Sequence, residues 1–149
     1  MTPRTRFAVV GWTLLALGAL HGVIPLLGGP GYRFFGAGEA MARLAESGSP
    51  VPALLTLGIA ALLVLFGLYA LAGAGRFRVL PLQRPIQGIL AVVFTLRGLA
   101  LGLELWARVH HPAFPLRFLA FSAVSLVLGL LLGSALLGAR KGRPEGPVA

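Results

Sequence analysis

Two stretches of this chain, Val51–Gly75 and Phe118–Ala139, contain no charged residue at all. A helix on the surface of a water-soluble domain needs a polar face, and neither stretch can supply one. Crossing a hydrocarbon core of about 30 Å takes roughly 20 apolar residues at 1.5 Å rise each. Two further runs meet that length: 7–27, whose only ionisable group is His21, and 86–106, interrupted by Arg97 and Glu104. With 57% apolar and 11% charged residues over 149 positions, the chain is too apolar for a soluble domain of its size. The predicted fold class is all-α: one integral membrane domain of four transmembrane helices at about 7–27, 51–74, 86–106 and 118–139.

Helix breakers stand where those helices should begin and end. Pro50 and Pro52 precede or open the second run, Pro85 opens the third where its missing N–H is harmless, and Pro112 and Pro115 precede the fourth. Arg4 and Arg6 before the first run imitate a signal peptide. The run is longer than a cleavable segment and no small-residue cleavage site follows it, so a retained first helix is expected. Cysteine is absent, which removes disulfides, thiolate metal sites and a lipoprotein anchor together.

A net charge of +9 would point to nucleic acid in a soluble domain. In a four-span protein, topology accounts for it instead. Arg4, Arg6, Arg76, Arg78, Arg84, Arg140, Lys141 and Arg143 share one side, while only Arg33, Arg43, Arg108 and Arg117 share the other. The positive-inside rule then places both termini and the tail 140–149 in the cytoplasm, with the bacterial inner membrane as the location. The bilayer is the expected partner, and no nucleic acid is expected.

The longest connection, Gly28–Ser49, faces outward in this topology. Glu39 and Arg43 form an i,i+4 pair and Met41, Leu44 and Ala45 share a face, predicting a short amphipathic surface helix at about 38–47. Tyr32, Phe34, Phe35 and Trp106 suit the interfacial aromatic belt. His110 and His111 supply at most part of a metal site, and no carboxylate cluster completes it, so no metal is assigned.

The polar residues inside the runs lie at similar depth. Counting from Leu27, Val51, Trp106 and Phe118 as outer boundaries, His21 is about 9 Å deep, Thr56 about 7 Å, Arg97 about 13 Å, Glu104 about 3 Å, Ser122 about 6 Å and Ser125 about 10 Å. All six fall in the outer half, as a polar pocket open to the periplasm requires. Arg97 and Glu104 are seven residues apart on one helix face, but about 10.5 Å apart along the axis. A direct ion pair needs an extended arginine; a water or a bound anion could bridge the two otherwise. Pro25 cannot donate to the His21 carbonyl, which adds a free acceptor at the same level. An ionisable residue inside a membrane span is a functional candidate by default, set against a plain structural role in locking the helices.

Gly18 and Gly22, Gly98 and Gly102, and Gly129 and Gly133 form three GxxxG pairs on three spans, predicting close helix packing and a face for self-association or a partner subunit. Catalysis has little material. There is no Asp, no carboxylate pair within a span, no second in-span histidine for a haem and no nucleotide-binding glycine loop, so neither an enzyme nor a cofactor is expected.

Leu20-His21 followed by Gly28-Gly29, together with Leu96-Arg97-Gly98, resembles a family of small four-helix bacterial inner-membrane proteins of unknown function. The resemblance implies the four-helix membrane architecture and supplies no activity and no catalytic residue. The expected function is non-enzymatic: a multi-pass membrane protein whose polar pocket binds a small molecule or an anion, or an accessory subunit. The second reading is a small oligomeric proton-coupled transporter or channel, with His21 and Glu104 as the titrating groups.

Overall fold

The computed structural model describes residues 1–141, with the side chains of Arg140 and Lys141 left undescribed; the remainder of the 140–149 tail lies outside the described residues. Among the described residues every regular element is helical. They are α1 (Pro3–Val23), a 3₁₀ turn (Ile24–Leu27), α2 (Gly28–Phe35), α3 (Glu39–Glu46), α4 (Val51–Gly73), α5 (Gln83–His110) and α6 (Leu116–Lys141). Four stretches are long and apolar enough to cross a membrane: Pro3–Phe35, Val51–Gly73, Gln83–His110 and Leu116–Ala139.

Local chemistry sets the helix ends. Thr2 opens α1 by accepting the Thr5 N–H at 3.2 Å on its hydroxyl, with Pro3 in the first helical position. Pro25 removes one backbone donor, and the chain tightens there into the 3₁₀ turn before resuming as α2. Three helices then stop in the same way, with a glycine in the left-handed region at Gly36, Gly48 and Gly75. At each, the next residue's N–H reaches the carbonyl five residues back: Ala37 to Tyr32, Ser49 to Leu44, Arg76 to Leu71. That pairing satisfies carbonyls the helix end would otherwise leave open.

One expectation is corrected here. Gly28–Phe35, placed above in the outer connection, is the helix α2, so the first long run extends to Phe35 rather than ending at residue 27. The physical reason is what α2 packs against. Tyr32 is buried with Ile24 and Ala42, and Phe35 and Ala45 close around them, so α2 and α3 share a small core of their own. Tyr32 is therefore an inward residue, not a member of the interfacial belt, whereas Phe34 remains exposed.

The chain divides into two compact units: Gly11–Leu68, and Met1–Val10 together with the chain from Tyr69 onward. In the first, α1 and α4 meet through glycines: a Cβ on Gly18 would lie 2.8 Å from Val64 Cγ2, and one on Gly67 3.0 Å from the Gly11 carbonyl. In the second, α5 and α6 pack as an antiparallel pair around Leu90, Ala91, Leu128, Leu132 and Ala135. Large apolar side chains on the remaining faces, among them Leu54, Ile89, Leu96, Leu103 and Leu130, are exposed.

Candidate functional site

The close approach of α5 and α6 places the first polar centre. A Cβ on Gly98 would lie 2.5 Å from both Cβ and backbone nitrogen of Leu126, and one on Gly129 2.5 Å from the Thr95 nitrogen. Only glycine permits that separation. Arg97 adjoins Gly98, and Ser122 stands one turn before Leu126, so the two come face to face.

Arg97 Nη1 donates to Ser122 Oγ at 2.6 Å, and Ser122 Oγ donates to Glu104 Oε1 at 2.8 Å. The direct Arg97 Nη1 to Glu104 Oε1 separation is 3.7 Å. The axial gap between the two charges is thus closed by a serine from the facing helix, which accepts from the cation and donates to the anion. Ser122 is fully buried and Glu104 only 15% exposed, while the Arg97 side chain is 48% exposed. Two buried polar atoms on the same stretch of α5, Glu104 Oε2 and Arg108 Nη1, have no hydrogen-bond partner. Ser125 stays outside this centre, its hydroxyl donating to the Phe121 carbonyl of its own helix at 2.9 Å.

His21 and Thr56 belong to the other unit, where they line a cavity of ≈ 200 Å³ together with Tyr32, Ile24, Phe35 and Ile59. Thr56 Oγ1 donates to the Pro52 carbonyl at 2.8 Å, leaving its lone pairs for an incoming donor. The His21 Nδ1 donates to the Leu17 carbonyl at 2.8 Å, since that carbonyl only accepts, and Nε2 is the ring's other polar atom. The third polar group is the Tyr32 hydroxyl. Tyr32 is 2% exposed, and its oxygen has no hydrogen-bond partner. An unpartnered hydroxyl, a second hydroxyl and an imidazole therefore border one small cavity.

A charge clamp holds the α2 and α3 side of that cavity. Arg33 Nε and Nη2 donate to the two Glu39 oxygens at 2.8 and 3.0 Å, and Nη1 and Nη2 to the two Glu46 oxygens, the second at 3.1 Å. Arg43 adds a bond to Glu39 at 3.0 Å, the i,i+4 pair expected from sequence. Gly29 leaves space for Glu46, whose Cγ would lie 2.7 Å from a Cβ there. The Arg33 hydrogen bond, and then that of Arg43, holds the Glu39 carboxyl at about 2, and the Arg33 bond holds Glu46 below its ordinary range.

The structure unites Arg97, Glu104 and Ser122, pairs His21 with Thr56 around a cavity, and leaves Ser125 bonded within its own helix. Of the six paired glycines, Gly18, Gly98 and Gly129 make close contacts, Gly133 makes an ordinary one with Ala91 at 4.0 Å, and Gly22 and Gly102 have open space around them. His110 bonds its own Trp106 carbonyl and stacks on that indole with ring centroids 4.4 Å apart. Among the described residues no three histidine, cysteine or acidic side chains gather closely enough to hold a metal ion.

Sequence reasoning gave Tyr32 only a place in the aromatic belt and Arg33 only a place in the charge count, and passed over Gln87. The first two were hidden by reading α2 as loop; the third, a lone glutamine inside an apolar run, was a visible signal. Compared with known proteins, the chain matches no family model, no curated protein and no solved structure, so the roles of its residues rest on their own geometry.

Proposed function

We propose that this chain is a four-span inner-membrane protein, with both termini cytoplasmic, that binds a small molecule without transforming it. Exposed leucines and isoleucines on the long helices suit a lipid environment. The Arg97–Ser122–Glu104 chain suits it too, because a charge in an apolar span is tolerated when another charge and a hydroxyl meet it. In this reading that centre is a lock between α5 and α6. The short α3 then lies at the outer interface, its clamp to α2 closing the cavity on the periplasmic side.

The binding reading is carried by one observation: a buried Tyr32 hydroxyl without a partner borders a cavity that His21 and Thr56 also line. A buried hydroxyl left unbonded costs about 1–3 kcal/mol, and a ligand oxygen accepting its proton removes that cost. The ligand is accordingly a compact molecule with an acceptor such as a carbonyl for Tyr32, and an apolar body for Ile24, Phe35 and Ile59.

The test uses acetophenone, which has such an acceptor, and ethylbenzene, which has nearly the same shape without one. Acetophenone should raise the melting temperature of the purified protein in detergent more than ethylbenzene does, and Tyr32→Phe should abolish the difference. Equal responses to both probes in the wild-type protein would remove the hydroxyl from the site and the proposal with it.

A further inference from the structure

A second cavity lies within the other unit, at the opposite end of α5 from Glu104. It has a volume of ≈ 500 Å³ and is bordered by the polar Arg84, Gln83 and Gln87 and the apolar Phe7, Pro85 and Leu136. Hydrogen bonds frame it. Tyr69 donates through its hydroxyl to the Pro81 carbonyl at 3.1 Å, and Leu80 N–H donates to Gln83 Oε1 at 3.1 Å. Gln87, 1% exposed, donates through Nε2 to the Tyr69 carbonyl at 2.7 Å, so one of its two amide hydrogens is used and the other remains a donor. Gly73 makes this possible, since a Cβ there would lie 2.5 Å from Nε2.

The charge around this cleft has one sign. Arg84 borders it, and Arg76 and Arg78 stand in the preceding loop; Arg6, next to Phe7 in α1, borders a different cavity with Val127, Leu130 and Ser134. The only carboxylate of this unit among the described residues is Glu104, twenty positions along α5 from Arg84, or about 30 Å away. Leu82 supplies no side-chain cap to α5, so the first amides of this 28-residue helix add their positive end to the same region.

We propose that this cleft binds the headgroup of an anionic phospholipid, with Arg84 pairing the phosphate, Gln87 donating to it, and Phe7 and Leu136 packing on the glycerol and upper acyl portion. Basic pockets at the ends of membrane helices recognise such headgroups. The apolar wall favours a lipid over a soluble phosphate. The absence of a nearby carboxylate among the described residues disfavours a choline headgroup, whose ammonium would find no partner. This inference rests on the membrane reading above, and the experiment separates the two: a protein that stays monomeric and folded without detergent overturns the membrane reading itself, independently of any lipid preference.

Full-length protein in a neutral detergent is titrated with short-chain phosphatidylglycerol or phosphatidylcholine, and bound lipid is counted by native mass spectrometry. Wild-type protein should bind phosphatidylglycerol about fivefold more tightly, the worth of one arginine near a membrane surface. Arg84→Gln should erase the preference and Arg84→Lys keep it. Arg78→Gln, outside the cleft, should leave it within twofold of wild type. No preference in the wild-type protein overturns the proposal, as does an equal loss in Arg78→Gln, which would mean diffuse surface charge. Displacement of phosphatidylglycerol by millimolar inorganic phosphate overturns the lipid assignment in favour of a free-phosphate site.

Discussion

Ser122→Ala tests whether one hydroxyl joins the two charges of α5. The substitution removes the acceptor 2.6 Å from Arg97 and the donor 2.8 Å from Glu104 in one step, at a buried position where alanine fits the backbone. Interhelical hydrogen bonds within membranes average about 0.6 kcal/mol and reach about 1.7 kcal/mol, so two of them predict a loss of about 1–3 kcal/mol. Part of this can be recovered, because Arg97 and Glu104 already stand 3.7 Å apart and can close to a direct contact. Recovery should keep the result nearer 1 than 3 kcal/mol, a value still well above that of a hydroxyl bonded within its own helix. Ser125→Ala supplies that comparison: the same change one turn further along α6, where the hydroxyl serves only the Phe121 carbonyl, should cost under about 0.5 kcal/mol. Reversible unfolding in mixed micelles, or steric trapping in bicelles, measures both. Equal stabilities for the two variants would refute the bridging role of Ser122.

Arg97→Leu should destabilise by more than Ser122→Ala, because it leaves Glu104 buried without a counter-charge, and adding Glu104→Leu should restore part of the loss; strict additivity in that double-mutant cycle would mean the charges do not interact. Tyr32→Phe, without ligand, should be neutral or stabilising by up to about 1 kcal/mol, since it deletes an unpaired buried hydroxyl, and a loss of 2 kcal/mol or more would reveal a partner. The clamp should respond to acid with a definite sign. Glu39 titrates at about 2 in the folded chain against an ordinary 4.5, so its contribution is complete above 4.5 and is lost as pH falls from there toward 2. Protection factors in α3, with exchange referred to the intrinsic rate at each pH, should therefore fall across that window in the wild-type protein and much less so in Arg33→Gln; unchanged protection of α3 down to the bottom of the window would count against the clamp. Reporter fusions at Gly38 and at the C-terminus should fall on opposite sides of the membrane, and a periplasmic C-terminus would reverse the proposed topology.

The helical fold was legible because the strongest signals were physical necessities: two runs without any charged residue, and prolines where helices begin. Gly36, Gly48 and Gly75 each end a helix in the left-handed region, a signal the sequence reading did not use. What stayed hidden in the first connection has a physical cause as well. A helix of eight residues opening with Gly28, Gly29, Pro30 and Gly31 has poor intrinsic propensity, and local rules discard it. It forms because Tyr32 and Phe35 bury themselves against Ile24 and Ala42, and because Arg33 reaches two glutamates six and thirteen positions later. Those are tertiary contacts, and no single-helix periodicity encodes them.

The polar constellation illustrates the same boundary between what depth can and cannot say. Depth arithmetic set Arg97, Glu104, Ser122 and Ser125 at comparable levels, but level is one coordinate and hydrogen bonding needs a second, the rotation of each helix about its axis. That rotation is set by the glycines. With Gly98 against Leu126, the α5 face carrying Arg97 and Glu104 meets the α6 turn that carries Ser122. Ser125, three residues on, instead bonds back to its own helix at Phe121. Gly98 and Gly129 and the charges of α5, read in the sequence as separate signals of packing and of function, are therefore one feature. The close approach that glycine allows is what lets a side chain as short as serine span the space between an arginine and a glutamate two turns apart.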